Sequence, residues 1–78
     1  MTRIEFQHAV EDILKVPRGS LKETDSRETI ETWSSFSDVE IVEFIETKFG
    51  VEPEADLMEA DTFGDILKNL ESKQVFAP

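Results

Sequence analysis

Apolar residues recur along the chain at helical spacing, in segments separated by polar stretches. The first such stripe comprises Phe6, Val10, Ile13 and Leu14. Steps of three and four residues place these side chains on one face of a helix. Thr2 and Glu5 have the spacing of a capping box, so the helix is predicted to begin at Arg3. Pro17 and Gly19 are expected to end it.

The second segment has the clearest helical pattern in the chain. Its apolar stripe comprises Phe36, Val39, Ile41, Val42, Ile45 and Phe49. Ser35 stands at its start, while Gly50 and the nearby Pro53 are the stop signals typical of a helix C-terminus. We therefore predict a second helix from Ser35 that closes at Gly50, with this stripe directed into the core.

The remaining chain is predicted to form a long loop, a short helix and a last helix. The polar stretch 18–34 carries three apolar anchors, Leu21, Ile30 and Trp33. Leu57 and Met58 indicate a short third helix. Thr62 and Asp65 resemble a capping box, so the last helix should open at Asp61 or Thr62 and end near Lys73. Its inward positions are Phe63, Ile66, Leu67 and Leu70.

These elements predict an all-α fold: a small four-helix bundle with a long first loop and a short third helix. One domain should cover residues 1–78, because a chain of 78 residues supports a single small core. Strands are nowhere favoured. So small a core leaves little room for an enclosed catalytic pocket, so we do not expect an enzyme.

The charge is strongly negative, with 18 acidic against 8 basic side chains and a net charge of −10. Such a field repels nucleic acids and anionic membrane surfaces, so we expect neither as a partner and favour basic protein surfaces. The N-terminus lacks an apolar signal core, and no apolar run is long enough to span a bilayer. A monomer in the cytoplasm is expected.

Metal sites are not predicted. The chain has no cysteine and one histidine, which excludes the usual zinc tetrads. The segment from Asp61 to Asp65 lacks the alternating oxygen ligands of a calcium loop.

The segment around Ser35 is the candidate site. On local spacing alone, Ser35 would be the N-cap of the second helix, with Asp38 completing a capping box. A wider pattern adds to this interpretation. Ser34, Ser35 and Phe36 precede alternating apolar and acidic residues, and the helix ends in Phe49 and Gly50.

This segment resembles the acyl carrier protein family, in which Asp-Ser-Leu opens the second helix and Phe-Gly closes it. The alignment needs no gap, and Trp33 also matches many members. The segment from Thr62 to Leu67 resembles the family's Gly-Asp start of the last helix. Ser34 replaces the family's aspartate and Phe36 its leucine.

The resemblance implies that Ser35 carries a covalent phosphopantetheine arm, which transports acyl groups as thioesters in fatty-acid, polyketide or related specialised synthesis. It also implies docking of partners on the second helix. The expected partners are a phosphopantetheinyl transferase and acyl-processing enzymes with basic patches. The residues assigned to that surface are Phe36, Ser37, Glu40, Glu43 and Glu46.

Two other functions use the same acidic surface. The first alternative is a carrier-like adaptor that is never modified and binds basic proteins through its second helix. The second is an acidic mimic of nucleic acid that blocks a basic groove of another protein. The modification state of Ser35 separates the carrier from both.

Overall fold

The computed structural model describes residues 1–51 and 60–77, and this part of the chain is all-α. It contains three helices, α1 (Arg3–Leu14), α2 (Ser35–Phe49) and α3 (Phe63–Ser72). Ser26 and Thr62 form an isolated antiparallel bridge. The predicted short helix at Leu57 and Met58 lies outside the described residues, so the four-helix bundle stays a prediction. Of the three helices described, none is long and apolar enough to cross a membrane.

Helix α1 begins where the sequence predicts and ends earlier. Thr2 and Glu5 form the complete capping box, and α1 starts at Arg3. Its last residue is Leu14, ahead of the expected stop at Pro17 and Gly19. Lys15 closes the helix in the left-handed conformation, with φ 61°, and its N–H donates to the carbonyls of Glu11 and Asp12. That conformation is usually adopted by glycine or asparagine, because a β-carbon is crowded there.

Helix α2 has the predicted ends but a different buried face. It runs from Ser35 to Phe49, and Gly50 caps it with φ 67°. The predicted stripe was wrong at two positions: Phe36 is 74% exposed and Val39 is 52% exposed. The buried face instead runs along i, i+4 positions, comprising Ser37, Ile41 and Ile45.

Helix α3 confirms its prediction. Thr62 and Asp65 form a complete capping box, and Lys73 is the C-cap. All the predicted inward side chains are buried: Phe63, Ile66, Leu67 and Leu70.

One cluster of buried apolar side chains joins the three helices and the loop. Phe6 of α1 is fully buried. Its ring centroid lies 5.5–6.1 Å from the rings of Phe44, Phe49, Phe63 and Phe76. Such separations are typical of attractive aromatic pairs. Phe76, beyond the end of α3, thus folds back onto the core.

The first loop lies over the bundle, as predicted from its anchors. Leu21 and Trp33 are buried, and Ile30 is half-buried against the core. The carbonyl of Asp25 accepts the N–H of Phe63 at 2.9 Å, and that of Glu23 accepts the N–H of Gly64 at 2.8 Å. The first N–H groups of a helix have no partner within the helix, so the loop supplies partners for α3.

Gly64 is expected to tolerate no side chain at this close approach. A β-carbon there would lie 2.9 Å from the carbonyl oxygen of Glu23 and 3.1 Å from its Cβ. Gly64→Ala should therefore lower the free energy of unfolding by about 1–3 kcal/mol, the usual effect of overpacking. At an open helical position, alanine would stabilise the helix by about 1 kcal/mol relative to glycine. A lower free energy of unfolding in urea would show that the close approach to Glu23 dominates, and a higher one would contradict it. Lys68→Ala, at an exposed position of α3, is the control and should change stability little.

Candidate functional site

Ser34, not Ser35, caps α2. The Oγ of Ser34 accepts the N–H of Ser37, and the Oγ of Ser37 accepts the N–H of Ser34, both at 3.4 Å. The carbonyl of Ser34 also accepts the first bond of the helix, from the N–H of Asp38 at 3.0 Å. The prediction that Ser35 and Asp38 form the capping box was therefore wrong by one residue. Ser35 is the first residue inside the helix.

The Ser35 side chain is exposed and unengaged. Its hydroxyl makes no hydrogen bond to any atom of residues 1–51 or 60–77, since capping is performed by its neighbour. The backbone around it is nevertheless held in place by the capping box and the first turn of α2. Ser35 thus presents a free hydroxyl from a fixed position.

Ser37 does not belong to the exposed face to which the sequence assigned it. Its side chain is 8% exposed, and its Oγ donates to the carbonyl of Thr32 at 2.9 Å. The prediction of Ser37 as a partner-binding residue is therefore corrected: its hydroxyl is used inside the protein, tying the end of the loop to the first turn of α2.

Asp38 anchors the loop to the start of α2. Its carboxylate accepts two bonds from the guanidinium of Arg27, at 2.8 and 2.9 Å, and one from the indole N–H of Trp33 at 2.7 Å. Arg27 also stacks on the Trp33 ring, 5.3 Å from its centroid, and donates to the carbonyl of Ala60 at 2.9 Å. Paired donors from arginine to a carboxylate form strong, directional contacts. This cluster joins the loop, the start of α2 and Ala60.

No pattern in the sequence predicts this cluster. Arg27 and Asp38 stand eleven residues apart, one in the loop and one in the helix. No helical or strand periodicity connects such a pair. An arginine between apolar anchors in a loop followed by a tryptophan was the only local signal.

An apolar patch with an acidic margin lies beside Ser35 on α2. Phe36 and Val39, three residues apart, are its exposed apolar centre. Glu40, Glu43 and Glu46 are exposed on the same helix, as predicted. We call these five residues the α2 face. The sequence predicts Val39 in the core. Its position on this face depends on which side of α2 is packed against the core.

Glu11 fixes the beginning of the loop that leads to the site. It is fully buried in α1, and its Oε2 accepts the N–H groups of Gly19 and Leu21, both at 2.9 Å, and the Gln7 side-chain amide at 3.2 Å. Burial opposes ionisation, but the bonds from Leu21, Gly19 and Gln7 outweigh it and hold the pKa of Glu11 below its ordinary value. The buried carboxylate thus acts as an internal acceptor for loop N–H groups.

No family model, curated protein or solved structure matches this chain.

Proposed function

We propose that this protein is an acyl carrier protein, which bears acyl groups as thioesters on a phosphopantetheine arm attached to Ser35. The observation that carries the proposal is the exposed, unengaged hydroxyl of Ser35 at the first residue of α2, with Ser34 performing the capping. A serine needed only for the helix would be expected at the capping position.

The residues around Ser35 suit a phosphodiester. The N–H groups of a first helical turn carry partial positive charge and favour an anion at this point. Ser34 stands where the family has aspartate, and serine caps a helix equally well without adding a negative charge beside the phosphate. The arm supplies a terminal thiol, which a chain without cysteine otherwise lacks.

Attachment is a phosphoryl transfer from coenzyme A. The Oγ of Ser35 forms a bond to the phosphorus that bears pantetheine, and the pyrophosphate bond of coenzyme A breaks. The adenosine bisphosphate half leaves, and the hydroxyl proton passes to a base of the transferase. The chain itself supplies only the oxygen and its position.

The α2 face supports the partner assignment. It combines two exposed apolar side chains with three carboxylates, all on the helix that begins at Ser35. Basic patches on a transferase or on acyl-processing enzymes are the complement of such a surface. The proposed pathways are fatty-acid, polyketide or related specialised synthesis.

The proposal predicts modification at one serine. Incubated with coenzyme A and a broad-specificity phosphopantetheinyl transferase, the protein should gain the mass of one phosphopantetheine group and one free thiol. Ser35→Ala should abolish both and leave stability nearly unchanged, because Ser35 is not the cap. Ser34→Ala is the matched control: it should still be modified, while losing about 0.5–1 kcal/mol of stability, the lower range for a capping residue because its bonds are long.

Two outcomes would contradict this assignment. If Ser34→Ala is not modified while Ser35→Ala still is, the attachment site is Ser34. A folded wild type that stays unmodified by several transferases would favour the second candidate, an unmodified adaptor. The exposed apolar centre of the α2 face supports that candidate, because an exposed apolar patch is typical of a protein-binding surface, which needs no arm.

A further inference from the structure

A groove of about 360 Å³ lies between the end of α1, the end of the first loop and the start of α2. Ile13 of α1 and Phe36 of α2 give the groove apolar surface, and three charged side chains also line it: Lys15, Glu31 and Glu40. Phe36 and Glu40 belong to the α2 face as well. The groove therefore continues the α2 face across the end of the loop towards α1.

The charged side chains give the groove a negative balance. Among its described lining residues, the carboxylates of Glu31 and Glu40 outnumber the single ammonium of Lys15. All three side chains are exposed, and none makes a hydrogen bond or an ion pair within residues 1–51 and 60–77. Lys15 is thus paired with neither carboxylate, so both can accept bonds from a cation of another molecule.

We propose that this groove receives an arginine side chain of a protein that docks on the α2 face, with the guanidinium pairing with Glu31 and Glu40. The inference rests on the partner surface of the proposed function and extends it beyond α2. It adds Ile13 and Glu31 to the docking surface, two residues that no helical pattern connects with α2.

Arginine complements both the charged and the apolar parts of the groove. Its planar guanidinium has several N–H donors and can bond more than one carboxylate, whereas a lysine ammonium is a compact point charge. The alkyl stem can lie along Ile13, and the guanidinium plane can stack on the ring of Phe36, which is 74% exposed. Arginine is also enriched in protein interfaces, including among the side chains that contribute most to binding.

NMR titration of the unmodified protein with the peptide acetyl-Gly-Arg-Gly-amide tests the groove directly. Chemical-shift changes are expected at Ile13, Glu31 and Phe36. The matched peptide with citrulline keeps the shape of arginine without its charge and should bind about fivefold more weakly. Equal binding of the citrulline peptide, or changes confined to other acidic positions, would overturn the groove. Equal binding of acetyl-Gly-Lys-Gly-amide would overturn the choice of arginine.

Glu31→Gln should lower the affinity for the arginine peptide about two- to fivefold, the effect of one exposed ion pair. Glu28→Gln is the matched control, because Glu28 is exposed in the same loop but does not line the groove. It removes the same charge and should change the affinity little. Equal losses in the two variants would mean that net charge attracts the peptide, which would overturn the proposal.

Lys15→Gln should have the opposite effect and raise the affinity about two- to fivefold, because an ammonium in the groove repels a guanidinium. Lys22→Gln is the matched control, since Lys22 is exposed and lies outside the groove lining. Partial unfolding would weaken binding in every variant, so a gain in Lys15→Gln separates local charge from stability. A loss in Lys15→Gln, or an equal gain in Lys22→Gln, would overturn the proposal.

The phosphopantetheinyl transferase tests whether a docking protein uses the groove. Glu31→Gln should lower kcat/KM for modification about two- to fivefold at low ionic strength, mainly through slower association. The difference from the wild type should shrink as salt is added, because ions screen an exposed pair. An unchanged kcat/KM in Glu31→Gln would overturn the groove as part of the docking surface.

The two proposals fail in different ways. The peptide titration needs no modification, so it judges the groove whether or not Ser35 accepts an arm. A wild type without the added mass overturns the carrier function. A modified wild type that shows no peptide-induced changes at Ile13, Glu31 and Phe36 overturns the groove alone.

Discussion

Replacing Glu11 with alanine should lower the free energy of unfolding by about 3 kcal/mol or more, because the N–H groups of Gly19 and Leu21 would lose a buried acceptor. Small domains have only about 5–15 kcal/mol of stability in total, so a substantial unfolded fraction is expected. Glu11→Gln keeps an acceptor oxygen of the same size and removes the charge. It should therefore lower the free energy of unfolding by about 1–2 kcal/mol, the contribution of the charge to these hydrogen bonds. Urea unfolding followed by circular dichroism and by Trp33 fluorescence measures both.

The contribution of Glu11 should also depend on pH. Since its pKa is lower in the folded protein than the ordinary value of 4.5, the unfolded chain binds the proton more tightly. The stabilising effect is therefore fully present above the unfolded pKa and is lost as pH falls through the folded pKa. The stability difference between wild type and Glu11→Gln should shrink as pH is lowered from about 7 to about 3.

Glu28→Gln is the matched control for Glu11. Glu28 is exposed in the same loop, and its carboxylate makes no hydrogen bond or ion pair within the described residues. Removing the same charge there should change stability little, or raise it slightly by reducing repulsion in an acidic chain. If Glu28→Gln destabilised the protein as much as Glu11→Gln, net charge rather than the buried contacts would be responsible.

Removing Phe36 and Val39 together should weaken partner recognition without unfolding the protein. Both side chains are more than half exposed, so the double alanine variant should lose less than about 1 kcal/mol of stability. A buried phenylalanine alone would lose about 3–5 kcal/mol. Apolar anchors at the centre of an interface contribute about 2 kcal/mol or more, which corresponds to at least about a 30-fold decrease in kcat/KM for modification by the transferase.

Ile4→Ala provides the comparison. Ile4 is 58% exposed on α1, so the substitution removes similar apolar surface away from the α2 face. Its modification kinetics should match those of the wild type. An equal decrease in kcat/KM for Ile4→Ala and for the double variant would show that the transferase does not use the α2 face. A large loss of stability in the double variant would contradict the exposure of Phe36 and Val39.

The contacts among Arg27, Trp33 and Asp38 explain how a long loop supports a defined site. Asp38 lies in the first turns of α2, and its carboxylate is shared by Arg27 and Trp33. Glu11 holds the other end of the same loop against α1. The loop is therefore tied at both ends, and the position of Ser35 follows from contacts that lie on either side of it.

Signals that act over three to five residues were readable from the sequence. The capping boxes at Thr2 and Thr62 and the left-handed Gly50 specify where helices begin or end through bonds within one turn. The stripes of α1 and α3 were also predicted correctly. On each of these helices the apolar residues keep mainly to one face, so only one rotation buries them.

Which face of α2 is buried was decided only by the tertiary structure. Its apolar residues occur around much of the helix, so more than one face can be buried. Packing against the aromatic cluster around Phe6 favours the face of Ile41 and Ile45, with Phe44 and Phe49 at its margins. Phe36 and Val39 then point outward. The sequence predicts Phe36 both in the apolar stripe and on the docking surface, and the structure exposes it. Val39, predicted in the stripe alone, moves to the α2 face.

The capping register and the buried charge also depended on distant contacts. Ser34 and Ser35 each have a polar residue three positions later, Ser37 and Asp38, so local spacing allows either register. Arg27 and Trp33 engage Asp38 and leave the cap to Ser34. Glu11 is buried because the loop passes over it and directs backbone N–H groups at its carboxylate, an arrangement that no pattern within α1 encodes.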